Sequence, residues 1–557
     1  MATTAVLRAA RRYPLTVVSI SAITTSITYA NLIERETESR ETLYRQSAFK
    51  DEFFRLDVSK GDRVTNREKA FFTSPADALV APAYLPIRYD ANAISRYWEA
   101  RPVSVAERLF QIAGELGPLL WAYARDFKLA GAVSKEAKLT EDEILIMEHT
   151  HAANLRHALT RLGPAFVKIG QQLSIRPDLV PPPVLAELQK LCDSVEPVPD
   201  SVAMEMLRTE LGFASVEEIS AIFSNMHRVA AASLGQVYKA TVRETGQTVA
   251  IKVQRPDMKQ KLSLDLFLLQ CYGRMVDRIC SVLTEQIPYH ENFIDSFAQG
   301  SYMELDYEHE AENQTKFKTQ FEKRGCKVVV PSVLNQYTSR RVICSEWIDG
   351  IKLVDASQDQ IRRLIPVGVE LFLTQLLDIG AFHADPHPAN LYVTDSGKLC
   401  LLDFGLVANV DENARRAMTA AIVNLLVGDF DTLIATDAKR LGFLPEDLDT
   451  TELNPILKKI LKEGLVEAGS SMKERKRKLM DISNELNEVF FRYPFSVPPF
   501  FALVTRGLGL LEGIALTGDK NFDIFQAAGP YAKKRAVAIF GSHYFARKLK
   551  RKPTIVT

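Results

Sequence analysis

Two β-branched, alternating runs, Gly235-Gln-Val-Tyr-Lys-Ala-Thr-Val and Thr248-Val-Ala-Ile-Lys-Val, sit back to back in a chain that otherwise reads mostly as helix. Glu244-Thr-Gly246 between them is a hairpin signal, and His227-Arg-Val-Ala upstream reads as a further strand. Helical patterns follow over 263–283 and 292–317, then strand-like stretches at 327–330 and 341–344. After Ile351 the chain turns helical again, except for a second hairpin over 392–402 centred on Asp395-Ser-Gly397. This order predicts an α+β chain, a small sheet lobe followed by a helical lobe. Residues 34–150 read as helical, with an amphipathic stretch at 105–127. Pro177, Pro181, Pro182 and Pro183 mark a break after a helix that carries Lys168.

Composition limits what such a chain does. At 557 residues it exceeds one simple core and calls for two or three packed units. Hydrophobic residues at 46% and charged residues at 25% are the ordinary globular balance. Lys plus Arg and Asp plus Glu are equal at 69 each, which argues against a dedicated nucleic-acid binder. Six widely spaced cysteines form no CxxC pair, so neither a zinc site nor a secreted disulfide framework is expected.

The chemistry is concentrated in His383-Ala-Asp385-Pro-His-Pro-Ala-Asn390, followed downstream by Asp403-Phe404-Gly405. Phosphoryl transfer needs one carboxylate near the attacking hydroxyl and further oxygen ligands to hold magnesium against phosphates. Asp385 and Asn390 match the Asp and Asn of the protein-kinase catalytic loop, and Asp403 matches the metal-binding Asp of its DFG element. The tripeptide alone is common by chance; both elements, with a hairpin between them, are not. Upstream, Val249-Ala-Ile-Lys252 matches the kinase strand whose lysine contacts the α and β phosphates. A lone strand lysine is usually a snorkelling surface charge, but here the downstream set follows in the expected order. Glu310 is the natural carboxylate to orient Lys252.

Two departures from ordinary kinases stand out. Where a G-x-G-x-x-G loop should cover the phosphates, the chain has Ala230-Ala231-Ala232-Ser233-Leu234-Gly235-Gln236-Val237. Only Gly235 remains, so the loop is expected to have less freedom for φ > 0 and to hold ATP in a different pose. After Gly405, residues 406–430 hold one hydroxyl side chain, Thr419, and no Ala-Pro-Glu. A phosphorylation-controlled activation segment with a peptide-docking platform is therefore not expected.

Together, Lys168-Ile-Gly170-Gln171, the alanine-rich loop, Glu304-Leu-Asp306 and the 383–390 segment resemble the UbiB family of atypical kinase-like proteins, tied to ubiquinone and other prenyl-lipid metabolism. The resemblance runs from about residue 85 to 540. It includes Val497-Pro-Pro-Phe-Phe-Ala-Leu and Leu511-Glu-Gly-Ile-Ala-Leu, which are similar to the eukaryotic organellar branch. Ala389 departs from the family's usual glycine before the asparagine. The resemblance implies a bilobal kinase-like fold with a helical N-terminal extension packed over the active site. Lys252 and Glu310 would orient ATP, held by loop residues 231–237. Asp385 would be the catalytic aspartate, with Asn390 and Asp403 as Mg2+ ligands. Lys168, Gly170 and Gln171 would lie near Glu304 and Asp306 on a helix that blocks the peptide groove, and the alanine-rich loop would favour ATPase-like or small-molecule chemistry. From the residues alone, a lysine in the apolar stretch around Lys168 is more often half-exposed; a buried ammonium there would need a carboxylate, and both Glu304 and Asp306 are candidates.

Domain boundaries are expected at 1–33 (targeting segment or anchor), 34–150 and 151–215 (helical), 216–345 (small lobe), 346–470 (helical lobe) and 471–557 (helical extension). Arg8, Arg11 and Arg12 precede the first acidic residue, Glu34, as in an organelle-import sequence. Residues 15–33 are apolar but rich in Ser and Thr, so a cleaved presequence and a membrane anchor both stay open. Mitochondrial, membrane-associated placement is expected, with a plastid as the alternative. His383 and His387 are not read as a metal pair, because Pro386 and Pro388 break the helix that spacing needs. The basic run 473–478 reads as a solvated helix face, and 497–516 as a core helix rather than a span. The expected partners are a membrane lipid or prenyl-quinone precursor and a lipid-biosynthetic protein complex. An organellar protein kinase and a non-catalytic nucleotide-binding scaffold are the competing functions.

Overall fold

The structure is a computed structural model. It describes residues 84–542 except 134–140, 175–179, 181, 193–196, 232–233, 284–289, 385–389, 462–498, 520–521 and 523. The import-like start, the basic run 473–478, His387 and Ala389 therefore lie outside the described residues. The described chain divides into two units, one of residues 84–311 and 333–347, the other of 312–332 and 348–542.

The first unit opens with helices α1 (Ala91–Glu99), α2 (Pro102–Val133), α3 (Glu141–Leu162), α4 (Pro164–Leu173), α5 (Pro182–Gln189), α6 (Asp200–Leu211) and α7 (Val216–Ile222). Strands β1 (Phe223–Ala231), β2 (Gly235–Val242) and β3 (Thr248–Gln254) follow, then α8 (Met258–Leu283) and α9 (His290–Met303). Helix α10 (Tyr307–Arg324) begins in this unit, and β5 (Val342–Glu346) returns to pair with β3, giving an antiparallel sheet β1-β2-β3-β5. Gly246, at φ 70°, takes the hairpin corner between β2 and β3. Period-two alternation decides which face of β3 is buried. Val249, Ile251 and Val253 are fully buried with Tyr238, Ala240 and Leu207, whereas Ala250 and Lys252 point to the half-exposed face. Each buried aliphatic contributes about 1.5–3 kcal/mol, so the strand is held by the residues that turn Lys252 outward from this core.

The helices form a second core. Ile94 and Trp98 of α1 pack on Leu262, Leu266 and Phe267 of α8, and the Trp98 indole donates to Ser263 Oγ at 3.1 Å. Arg108 of α2 grips Asp265 of α8 at 2.6 and 3.0 Å. Burial raises the Asp265 carboxyl despite that guanidinium.

The helical pattern over 292–317 proves to be two helices, broken at Glu304–Asp306. The Asp306 carboxylate accepts the N–H groups of Glu308 (3.2 Å) and His309 (3.3 Å), capping α10 and restarting the helix. Helix α9 is started from outside its own segment: Asp277 of α8 accepts the N–H groups of His290 (3.2 Å) and Glu291 (2.9 Å) and pairs with His290 Nδ1 at 2.7 Å. Burial pushes the Asp277 carboxyl up, but these donors outweigh it and hold it below the usual carboxylate range. A lowered folded pKa means stability that is complete above the unfolded value, about 3.9, and lost as pH falls through the folded one. In urea unfolding between pH 6 and 3, the wild type is expected to lose more stability than Asp277→Asn; parallel losses would contradict this.

The second unit continues with β4 (Val328–Val329), β6 (Gly350–Lys352), α11 (Gln358–Thr374), β7 (Ala381–His383), β8 (Leu391–Thr394), β9 (Leu399–Leu401) and β10 (Val407–Asn409). The longer helices α12 (Glu412–Leu426), α13 (Leu453–Leu461), α14 (Pro499–Gly518) and α15 (Ile524–Phe540) follow. Its sheet runs β4-β9-β8-β6, with β4 parallel to β9, and β7 pairs antiparallel with β10. The expected hairpin over 392–402 is β8–β9, turned at Gly397 (φ 74°). Ser357 and Gln360 form a capping box that starts α11. Ile361, Leu364, Val369 and Phe372 of α11 bury against Leu511, Ile514 and Ala515 of α14, so α14 is the core helix its sequence implies. No described helix is long and apolar enough to cross a membrane.

Candidate functional site

In the first unit, β3 delivers Lys252 and the opening turn of α10 delivers Glu310. Lys252 Nζ lies 3.0 Å from Oε1 and 2.9 Å from Oε2, so the ammonium sits in the fork of the carboxylate. Glu310 has a side chain 5% exposed, while Lys252 keeps 23%. The carboxylate is thus fixed and desolvated, and the lysine still reaches solvent, as a phosphate-binding lysine must.

The alanine-rich loop is described in part. Ala231 ends β1, Leu234 is buried, Gly235 opens β2 and Val237 is half-buried; Ala232 and Ser233 lie outside the described residues. Gln236 is 1% exposed and its side chain is committed to the protein. It accepts from the Val198 N–H at 2.9 Å and donates to the Tyr238 hydroxyl at 2.8 Å. Only its main chain is left to meet a nucleotide. Gly235, whose φ is not positive, is required by close approach. A Cβ there would stand 2.7 Å from both Tyr307 Oη and the Val253 carbonyl oxygen.

Lys168, 8% exposed on α4, forms an ion pair with Glu304 in the turn before α10. The two candidate carboxylates are therefore separated by role. Glu304 takes the ammonium, and Asp306 caps α10 and faces Arg340 at 3.7 Å. Gly170 lets α4 pack closely, since a Cβ would collide with Leu191 and meet Leu159 at 3.1 Å. Gln171 Nε2 reaches the Leu191 carbonyl at 3.4 Å.

In the second unit, Asp385 lies outside the described residues, and its neighbours define the frame. His383 donates from Nε2 to the Asp403 carbonyl, and its own N–H bonds Gln375 Oε1 at 2.9 Å. It is a structural residue, as read from the sequence. Asp403 is exposed and adopts φ 59°, left-handed backbone rare for a non-glycine residue. Its Oδ1 accepts the Gly405 N–H at 3.0 Å, which supports that turn. Phe404 is fully buried, 5.3 Å from the Phe317 ring, and Asn313 Nδ2 donates to its carbonyl at 3.2 Å. Asn390 is half-buried, and its carbonyl accepts the Leu402 N–H at 2.9 Å, tying the end of the 383–390 segment to the start of the DFG turn. A carboxylate and an amide oxygen are hard donors of the kind magnesium takes, with phosphate and water completing its shell. Gln375, in a π-helical turn after α11, and Asn313 carry no sequence signal that marks them as supports of this frame.

The ABC1 atypical kinase-like domain matches residues 190–436. An uncharacterised Synechocystis protein, slr1919, is 36% identical over 459 residues, 80% of this chain and 76% of that protein. The chain belongs to the ABC1, or UbiB, family of atypical kinase-like proteins. Its fold is accordingly α+β and kinase-like. Other UbiB-family relatives are Activity of BC1 Complex Kinase 3, chloroplastic, of Arabidopsis thaliana (37% identical; 80% of this chain, 60% of that one) and an Arabidopsis aarF domain-containing protein kinase, also chloroplastic (33% identical; 85% and 64%). The chain spans about three-fifths of the length of these two Arabidopsis relatives.

Proposed function

We propose that this UbiB-family chain is an ATP- and magnesium-dependent atypical kinase or ATPase that supports isoprenoid-quinone or membrane-lipid homeostasis. The observation that carries the nucleotide reading is the bidentate Lys252–Glu310 pair, a fixed carboxylate presenting an accessible ammonium. Lys252 would contact the α and β phosphates. Asp385 would accept the proton of the attacking hydroxyl or water, and Asn390 and Asp403 would hold magnesium. Bound there, the metal supplies charge neutralisation on the phosphates. The buried Lys168–Glu304 pair keeps the family's helical segment ordered in the same unit as Lys252, which favours water or a small lipid-like acceptor over a protein. The chloroplastic relatives favour a plastid over the mitochondrion. The partners we assign are a membrane lipid or prenyl-quinone precursor and a lipid-biosynthetic complex.

The test is nucleotide binding and magnesium-ATP hydrolysis by the full chain, with and without liposomes and quinone-precursor-like phenols. Turnover that rises with lipid or phenol is expected. No nucleotide binding would remove the proposal, and tight binding without turnover would favour the scaffold. Transfer to added protein, lost in Asp385→Asn, would favour a protein kinase.

A further inference from the structure

Tyr307 opens α10, immediately after the Asp306 cap, and is 1% exposed. Its N–H donates to the Arg340 carbonyl at 2.9 Å, which anchors its main chain at the foot of β5. The ring packs with Ala311 and Ile343, and Ile343 is the cross-strand partner of Lys252 on β5. Lys252 Nζ lies 4.9 Å from the ring centroid. The phenol oxygen lies at the opening of β2, 2.7 Å from where a Gly235 Cβ would stand. One side chain thus touches both the lysine and the glycine of the proposed nucleotide site.

Tyr307 and Glu310 are three residues apart on α10 and so share a helix face. A carboxylate alone leaves an ammonium free to swing around its oxygens on four rotatable bonds. The negative face of an aromatic ring adds a second attraction from another direction. We propose that Tyr307 is a positioning residue, its π face and the Glu310 carboxylate forming a two-walled socket that sets the Lys252 ammonium for the phosphates. This rests on the nucleotide reading above and deepens it. The phenol and the Val253 carbonyl together fill the space a side chain at Gly235 would need.

The test compares Tyr307→Phe with Tyr307→Leu in the full chain. The Phe variant is expected to keep KM for magnesium-ATP and kcat within about two-fold. The Leu variant, which lacks the π face, is expected to raise KM about five-fold, with a smaller fall in kcat. A readout independent of turnover is the rate at which acetic anhydride acetylates Lys252, measured by mass spectrometry. It is expected to rise several-fold in the Leu variant and stay unchanged in the Phe variant. Should the Leu variant not fold, 3,4,5-trifluorophenylalanine at position 307 keeps the ring shape and weakens its π face, and the same faster acetylation is expected. Equal Lys252 reactivity in all folded variants would overturn the socket, as would a Phe variant as impaired as the Leu one. A wild type that binds no nucleotide would remove the functional reading, while the acetylation contrast would still decide the role of Tyr307.

Discussion

Asp403→Asn is expected to lower magnesium-ATP hydrolysis by about three orders of magnitude without unfolding the protein. A carboxylate on the metal contributes several kcal/mol to stabilising transferred charge, and each 1.36 kcal/mol is about a factor of ten. The neutral amide loses that charge. The backbone should not object, because Asn tolerates left-handed φ at least as well as Asp and its Oδ1 can still accept the Gly405 N–H. Asp403→Ala makes the contrast. It loses the same charge and adds strain of about 1–2 kcal/mol at a β-carbon-bearing φ of 59°. Hydrolysis rates and thermal midpoints of the two variants separate chemistry from fold. Wild-type turnover in Asp403→Asn would end the metal-ligand assignment.

The second large effect is an asymmetry between the partners of the Lys168–Glu304 pair. The Lys168 side chain is 9% exposed and that of Glu304 is 23% exposed. Glu304→Ala strands an ammonium among apolar neighbours and should cost about 3 kcal/mol, a fall of roughly 6 °C in the thermal midpoint of a unit of this size. Lys168→Met replaces the charge with an isosteric apolar chain and leaves a carboxylate with some access to water. Its cost should be at most about 1 kcal/mol. Equal losses from both variants would mean that packing, rather than charge burial, dominates at this position.

Much of this was legible because local periodicity reports burial directly. The alternation of Val249, Ile251 and Val253 placed Lys252 on the opposite face of β3, and Gly246 and Gly397 marked both hairpins. The hairpin read over 392–402, between Asn390 and Asp403, is the β8–β9 pair. The break at Glu304–Asp306 was hidden for a physical reason. Tyr302, Leu305 and Ala311 all bury, so the apolar stripe runs through the turn, and only the capping carboxylate of Asp306 signals it. The return of β5 to β3 was hidden as well, since a strand pattern declares its type and not its partner. The crowding that requires Gly235 was hidden too, because a glycine forced by close approach looks the same in sequence as one forced by φ.

The Asp306 cap has a consequence for how this chain would tolerate changes in length. Each residue inserted into an unbroken helix rotates everything beyond it by 100° and advances it by 1.5 Å. Were α9 and α10 one rod, a single insertion anywhere in α9 would swing Glu310 off Lys252. The cap resets helical phase at Tyr307, whose N–H is pinned to Arg340 instead of to the α9 spiral. Insertions and deletions in α9 are therefore absorbed before they reach the ion pair, whereas between Tyr307 and Glu310 there is no slack for even one.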